Sequence, residues 1–239
     1  MLPESDLVSP SPEPRLWHHT HPEATATHKS VPILVGRQGL FTAAGELLGY
    51  ELLFRAAGFK GSRCDLWTHQ EQDLATEHVI AAALHQGTDV TRGLDASVNF
   101  SDTYLLAHRD LRCDPRKVII EITESSVMSD ALLTRIQELR AEGFRVALDD
   151  FVATDTQCQL LPFADFVKID LRDISGREDA LLSHARGNNR VLVAERVETQ
   201  AELAEAVTLG FHQFQGHLFE PTEVVSVPSP PAPSTALAR

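Results

Sequence analysis

Positive charge is scarce in this chain. Only 21 Lys and Arg stand against 34 Asp and Glu in 239 residues, leaving a net charge of −13 and an isoelectric point near 5.2. That balance argues against nucleic-acid binding through a basic surface, because neutralising phosphates requires clustered Lys and Arg. It leaves open a phosphate-bearing ligand held through metal ions, which supply the positive charge themselves. Cysteine is also rare. Cys64, Cys113 and Cys158 match no zinc or redox spacing and read as reduced thiols. No run approaches 18 apolar residues, so no membrane span is expected. Met1 to Ser30 lacks the apolar core of a signal peptide. These absences together describe a soluble, cytoplasmic protein.

Hydrophobic residues make up 43% of the chain, enough for one sizeable core. Residues 1–30 are rich in Pro, Ser, Thr and His without periodicity, which is the composition of a disordered arm. His18, His19, His21 and His28 belong to that arm and read as a histidine-bearing tail. Residues 226–239, with Pro228, Pro230, Pro231 and Pro233, read as a second tail. One folded unit over 31–225 remains between them.

Within that unit short apolar runs alternate with helical patterns. Strands are expected at Val31–Val35, Leu47–Phe54, Ala96–Phe100, Lys117–Ile122, Phe144–Asp149, Phe166–Asp170, Val191–Glu195 and His212–Gln215. Helices are expected over 71–85, 101–108, 130–142, 173–187 and from Thr199 to Gly210, with a short one after Asp150. Leu132, Leu133, Ile136 and Leu139 recur at helical spacing ahead of Gly143, and Thr199 with Glu202 forms a capping box. Such alternation means parallel βαβ units. Eight strands in so short a unit fit a compact (β/α)₈ barrel better than an open sheet. A near-hairpin at the start sets the first strand antiparallel to its neighbour.

The polar residues fall in a pattern. Asn99, Glu121, Asp149, Lys168, Glu195 and Gln215 stand at the ends of apolar strands, 19 to 28 residues apart, and Glu51 lies inside the second strand. In a barrel of parallel strands those ends converge on one face, where active sites are built. Each residue alone has a structural role available to it, and Asp149-Asp150 alone could be a strand exit and a helix cap. As a ring, the acids would repel one another strongly. Two divalent cations would turn that ring into a site for phosphoryl displacement. Its carboxylate and amide oxygens select Mg²⁺, Mn²⁺ or Ca²⁺ over zinc.

These stretches resemble one family. Glu51-Leu-Leu-Phe-Arg55, Val98-Asn99-Phe100, Ile120-Glu121-Ile-Thr-Glu124, Leu148-Asp149-Asp150-Phe151, Val167-Lys168-Ile-Asp170, Ala194-Glu195-Arg-Val-Glu-Thr199 and Phe214-Gln215-Gly216 match, in order, the motifs of the EAL domain family of cyclic di-GMP phosphodiesterases. The wording around Glu51 is similar to the subgroup usually fused to an HDOD domain, for which this chain is expected to have no room. The resemblance implies an α/β, TIM-like (β/α)₈ barrel with an antiparallel first strand, and hydrolysis of cyclic di-GMP to linear pGpG with two Mg²⁺ or Mn²⁺ ions. It implies that Glu51, Asn99, Glu121 and Asp149 hold one cation, with Asp149 bridging to a second near Asp150. It gives Lys168 the attacking water, Glu195 a general-base or metal-shell role, Gln215 a water or the substrate, and Arg55 a substrate phosphate.

The chain also departs from the family. Val152 to Cys158 replaces a Gly-x-Gly-x-Ser-Ser loop that Glu124 steadies and that links the metal site to a dimer interface, and Arg196 replaces a glycine. Without those glycines the loop is expected to avoid positive φ. A non-catalytic receptor or interaction module therefore stands as the alternative, as does a homodimer or protein partner. A hydrolase acting on a different phosphodiester is a third reading.

Overall fold

A computed structural model describes residues 33–55, 69–84, 90–174, 176–187 and 189–227. The N-terminal arm with its histidines, Cys64 and most of the Pro-rich tail lie outside those residues. Among the described residues nine strands occur in chain order: β1 (Ile33–Phe41), β2 (Leu47–Arg55), β3 (Asp95–Phe100), β4 (Val118–Ile122), β5 (Arg145–Leu148), β6 (Phe166–Asp170), β7 (Val191–Glu195), β8 (Gln213–Phe214) and β9 (Glu223–Val227). The helices between them are α1 (His69–Leu84), α2 (Asp102–Ala107), α3 (Asp130–Ala141), α4 (Asp155–Leu160), α5 (Leu171–Ile174), α6 (Glu178–Ala185) and α7 (Gln200–Thr208).

Strands β2 to β8 run parallel in chain order, and β1 closes the ring by pairing antiparallel with both β2 and β8. Eight strands thus form a closed mixed barrel with an antiparallel first strand, as the hairpin-like start predicts. Strand β9 adds to the first half of β1, with Ile33 opposite Val227 and Arg37 opposite Glu223.

Alternation along the strands sorts the side chains. On β6, Val167 and Ile169 are fully buried against the helical layer, while Lys168 between them points into the barrel. Leu132, Ile136 and Leu139 of α3 are fully buried in that layer, as are Leu181 and Leu182 of α6 to within 1%. Leu133, expected on the same face, is only partly covered. Burying a side chain of this size contributes about 1.5–3 kcal/mol, so packing outweighs the weak propensity of these short helices. Thr199 and Glu202 cap α7 reciprocally, as their spacing predicts. Ser129 and Thr154 do the same work for α3 and α4, each accepting a backbone N–H.

Three elements differ from the sequence-based expectation. Strand β1 extends to Phe41, because Gly36, Gln38 and Gly39 keep the ladder to Leu53, Glu51 and Tyr50. The helix expected over 173–187 is two helices, broken where Gly176 takes φ 75° and its N–H is accepted by Glu178. Strand β9 reaches Val227, which is fully buried, so the described fold runs past the boundary drawn at 225.

Candidate metal centre and active site

The register brings the strand-end residues to one rim. Asn99 pairs with Glu121 across β3 and β4, and Asp170 with Glu195 across β6 and β7. Lys168 lies at the centre, 1% exposed. Its Nζ is 2.7 Å from Asp149 Oδ1, 3.0 Å from Glu195 Oε1, and 3.1 Å from both Glu51 Oε2 and Glu121 Oε2. Asn99 Nδ2 donates to Glu51 Oε1 at 3.2 Å and Gln215 Nε2 to Glu51 Oε2 at 2.8 Å. Gly216 secures Gln215: its φ is 155°, and a side chain there would run into the Val197 backbone.

One ammonium among four carboxylates sets the electrostatics. Burial works against the charge on Lys168, yet Asp149, Glu121, Glu195 and Glu51 hold it protonated well beyond the usual lysine range. Burial also opposes ionisation of Glu51, but Lys168, Gln215 and Asn99 outweigh it and keep that carboxyl below its ordinary value. Glu121 goes the other way: burial, with Glu51 and Asp149 adding repulsion, lifts it well above the carboxylate range despite Lys168. Glu195 is pushed to about 8 by burial, Lys168 resisting and Asp149, Glu51 and Asp150 assisting. Asp150 rises to about 6, through burial and then the charges of Asp149 and Glu124. A cluster that retains protons near neutrality lacks positive charge.

The donor set fits a divalent cation. Oxygens of Glu51, Glu121 and Asp149 lie within 4.8 Å of one another, as do those of Glu124, Asp149 and Asp150. Two amide oxygens, Asn99 Oδ1 and Gln215 Oε1, are buried without a hydrogen-bond partner. Orphaned acceptors beside a carboxylate cluster are what a hard cation satisfies. Asp149 belongs to both groups, so two neighbouring ions would share it.

Of the residues singled out from sequence, Glu51, Asn99, Glu121, Asp149, Lys168, Glu195 and Gln215 are brought together, with Asp150 and Glu124 beside them. Arg55 stands apart, at the end of β2, with Nη1 bonded to the Phe54 carbonyl and its guanidinium over Gly36. Glu124 is exposed; it faces Asp149 and Asp150 and makes no hydrogen bond to residues 152–158. The expectation that this loop avoids positive φ is overturned: Asp150 has φ 41° and Ala153 φ 63°. Arg196 also takes φ 56°, its Nε 2.9 Å from buried Asp170, which Arg172 grips as well. Two buried participants escaped the sequence reading. Ser97 donates to Glu121 Oε1, and Gln157 donates to the Asp149 and Asp150 carbonyls. Ser97 stands two residues before Asn99 on β3, and Gln157 closes a Thr-x-x-Gln capping box as the third residue of α4, the two signals that could have found them.

A closed α/β barrel with an oxygen-lined acidic cluster at the C-terminal ends of its strands has that cluster on the face where barrels of this class build their active sites. The EAL domain family model matches residues 42–222, and the chain belongs to that family. It is 33% identical over 197 residues to CdgJ of Vibrio cholerae, named a cyclic di-GMP phosphodiesterase, covering 80% of this chain and 44% of that protein. It is 31% identical over 202 residues to the uncharacterized YuxH of Bacillus subtilis, covering 81% and 48%. The chain thus spans a little under half the length of these relatives. The EAL-domain protein YkuI of Bacillus subtilis, solved with cyclic di-GMP and calcium, shares the fold: TM-score 0.66 at 19% identity over 80% of this chain and 55% of that one.

Proposed function

We propose that this chain is a divalent-metal-dependent phosphodiesterase that hydrolyses cyclic di-GMP to linear pGpG. The observation that carries the reading is the pair of orphaned amide oxygens, Asn99 Oδ1 and Gln215 Oε1, buried beside the Glu51, Glu121 and Asp149 carboxylates. Glu51, Asn99, Glu121 and Asp149 would hold one cation, and Asp149 with Asp150 a second. Mg²⁺ or Mn²⁺ bound there would polarise the phosphoryl oxygens and make water a better nucleophile.

The residues of the chain supply the rest. Lys168 and Glu195, 3.0 Å apart, orient the attacking water. Glu195, once ionised, takes the proton as the water oxygen bonds to phosphorus; one ester P–O bond breaks, and the departing sugar oxygen, which stays in the linear product, takes up a proton from solvent to become a hydroxyl. Gln215, anchored on Glu51, offers its free oxygen to water or substrate. Arg55, at the rim, is the candidate contact for a phosphate oxygen. Glu124 faces the acids and belongs to the second cation's surroundings. The free thiols Cys113 and Cys158 suit a reducing cytoplasm.

The test is incubation with cyclic di-GMP and Mn²⁺ or Mg²⁺, with chromatographic separation of the products. Formation of pGpG, lost in Glu51→Ala and Asp149→Ala, is the expected result. Binding without product, with either metal, overturns the reading in favour of a receptor. That second reading has one observation behind it: the loop after Asp150 is pinned rather than glycine-rich. A screen of other cyclic dinucleotides separates a different phosphodiester substrate from both.

A further inference from the structure

One side chain, that of Gln157, makes most of the bonds to the loop that follows the two acids, and Arg177 Nη2 adds one more, to the Val152 carbonyl at 3.3 Å. Gln157 is 4% exposed, and all four hydrogen-bonding positions of its amide are used. Its Nε2 donates to the Asp149 carbonyl at 3.2 Å and the Asp150 carbonyl at 3.0 Å. Its Oε1 accepts from the N–H of Val152 at 3.0 Å and of Thr154 at 3.2 Å. Among the described residues, no other side chain near the centre grips so many backbone groups of one loop.

That grip falls where the backbone is strained. Asp150 and Ala153 sit at φ 41° and 63°, a region that disfavours residues with a Cβ. Such conformations persist only where their surroundings over-determine them. The two acids are supported unequally. Asp149 donates its own N–H to the Ile122 carbonyl at 3.1 Å, and thus sits in the barrel ladder. The N–H of Asp150 makes no ladder bond; the peptide that leaves it is held on both edges, its Phe151 N–H donating to the Lys168 carbonyl at 2.9 Å and its carbonyl accepting from Gln157. Turning that peptide would carry the Asp150 carboxylate away, while cation ligation tolerates shifts of only about 0.2 Å.

Resting on the two-cation reading above, we infer that Gln157 is a positioning residue for the cation shared by Asp149 and Asp150. It presets that half of the site before any ion or substrate arrives. The cation held by Glu51, Asn99, Glu121 and Asp149 does not depend on it, because those residues are fixed by the strands and by one another.

Calorimetric titration of the full chain with Mn²⁺, without substrate, tests this. Wild type is expected to bind in two steps. Gln157→Ala should leave the first near its wild-type affinity and weaken the second about 10- to 100-fold, the usual effect of removing an outer support of a metal ligand. Gln157→Glu keeps the shape, loses both donors, and should do the same; it carries the test if the alanine variant is unfolded at the assay temperature. Thr154→Ala removes only the hydroxyl cap of the same helix, and should lower the melting temperature with both steps intact. The inference is overturned if either folded Gln157 variant binds both ions normally, if both steps weaken together, or if Thr154→Ala weakens the second step equally. A wild-type protein with fewer than two steps overturns the two-cation reading, and the inference with it.

Discussion

Asp149 Oδ1 lies 2.7 Å from Lys168 Nζ, the shortest of four carboxylate contacts that converge on this buried ammonium. The lysine therefore acts as the resident counter-charge of the acidic ring. Lys168→Met keeps the length of the side chain and removes the charge. It should cost about 3–5 kcal/mol, the usual loss when one partner of a buried ion pair is deleted. Added Mn²⁺ should restore more stability to the variant than to wild type. Thermal melts with and without the metal check both outcomes.

Ser97 is buried and its hydroxyl is bonded to Glu121. Ser97→Ala leaves that carboxyl oxygen without a partner, at about 1–3 kcal/mol. Denaturant melts of the metal-free protein should show this loss, and Mn²⁺ titration should show weaker binding at the Glu121 site.

Asp170 titrates below its ordinary value although its burial alone would raise it. The side-chain and backbone bonds from Arg172, and the charge of Arg196, outweigh that burial. A depressed carboxylate contributes stability above its unfolded pKa of about 3.9, lost as pH falls through the lower folded value. Asp170→Asn should therefore be about 1–2 kcal/mol less stable than wild type at pH 7, a range reduced for the solvent around both exposed guanidiniums. The gap should close as pH drops below about 4. Urea melts across that range measure it.

Ala153 occupies φ 63°, where a Cβ costs about 1–2 kcal/mol. Glycine removes that cost but makes the unfolded chain more flexible, an offset of about 0.5–1 kcal/mol. Ala153→Gly should thus stabilise the protein by up to about 1 kcal/mol, seen as a higher urea midpoint at unchanged slope. An equal or lower midpoint would show that neighbouring contacts already absorb the strain.

The barrel and most of its centre are legible from sequence because both rest on alternation. An apolar run that ends in a polar residue, repeated around a closed sheet, predicts where Asn99, Glu121, Asp149, Lys168 and Glu195 meet. What escapes that logic is local. Glu223-Val-Val-Ser-Val227 abuts the prolines that mark a tail, so pairing with β1 overrides its neighbourhood. Ser97 is an ordinary strand residue until its partner is known. Gln157 reads as a helix cap, and only the folded loop turns its amide onto the acids. Positive φ at Ala153 is likewise invisible, because hydrogen bonds rather than glycine hold it, while at Arg196, which stands where the family has a glycine, an ion pair to Asp170 accompanies the same conformation.

Antiparallel pairing of β1 has a spatial result. Leu34 lies opposite Arg55 at the carboxyl end of β2, and Ile33 lies opposite Val227. The barrel's incoming and outgoing strands thus meet side by side on the rim that carries the acidic cluster. Any module attached ahead of residue 33 or after residue 227 is tethered there. A short flexible tether keeps such a neighbour at an effective concentration on the order of millimolar, so even a weak contact with the mouth would register as control.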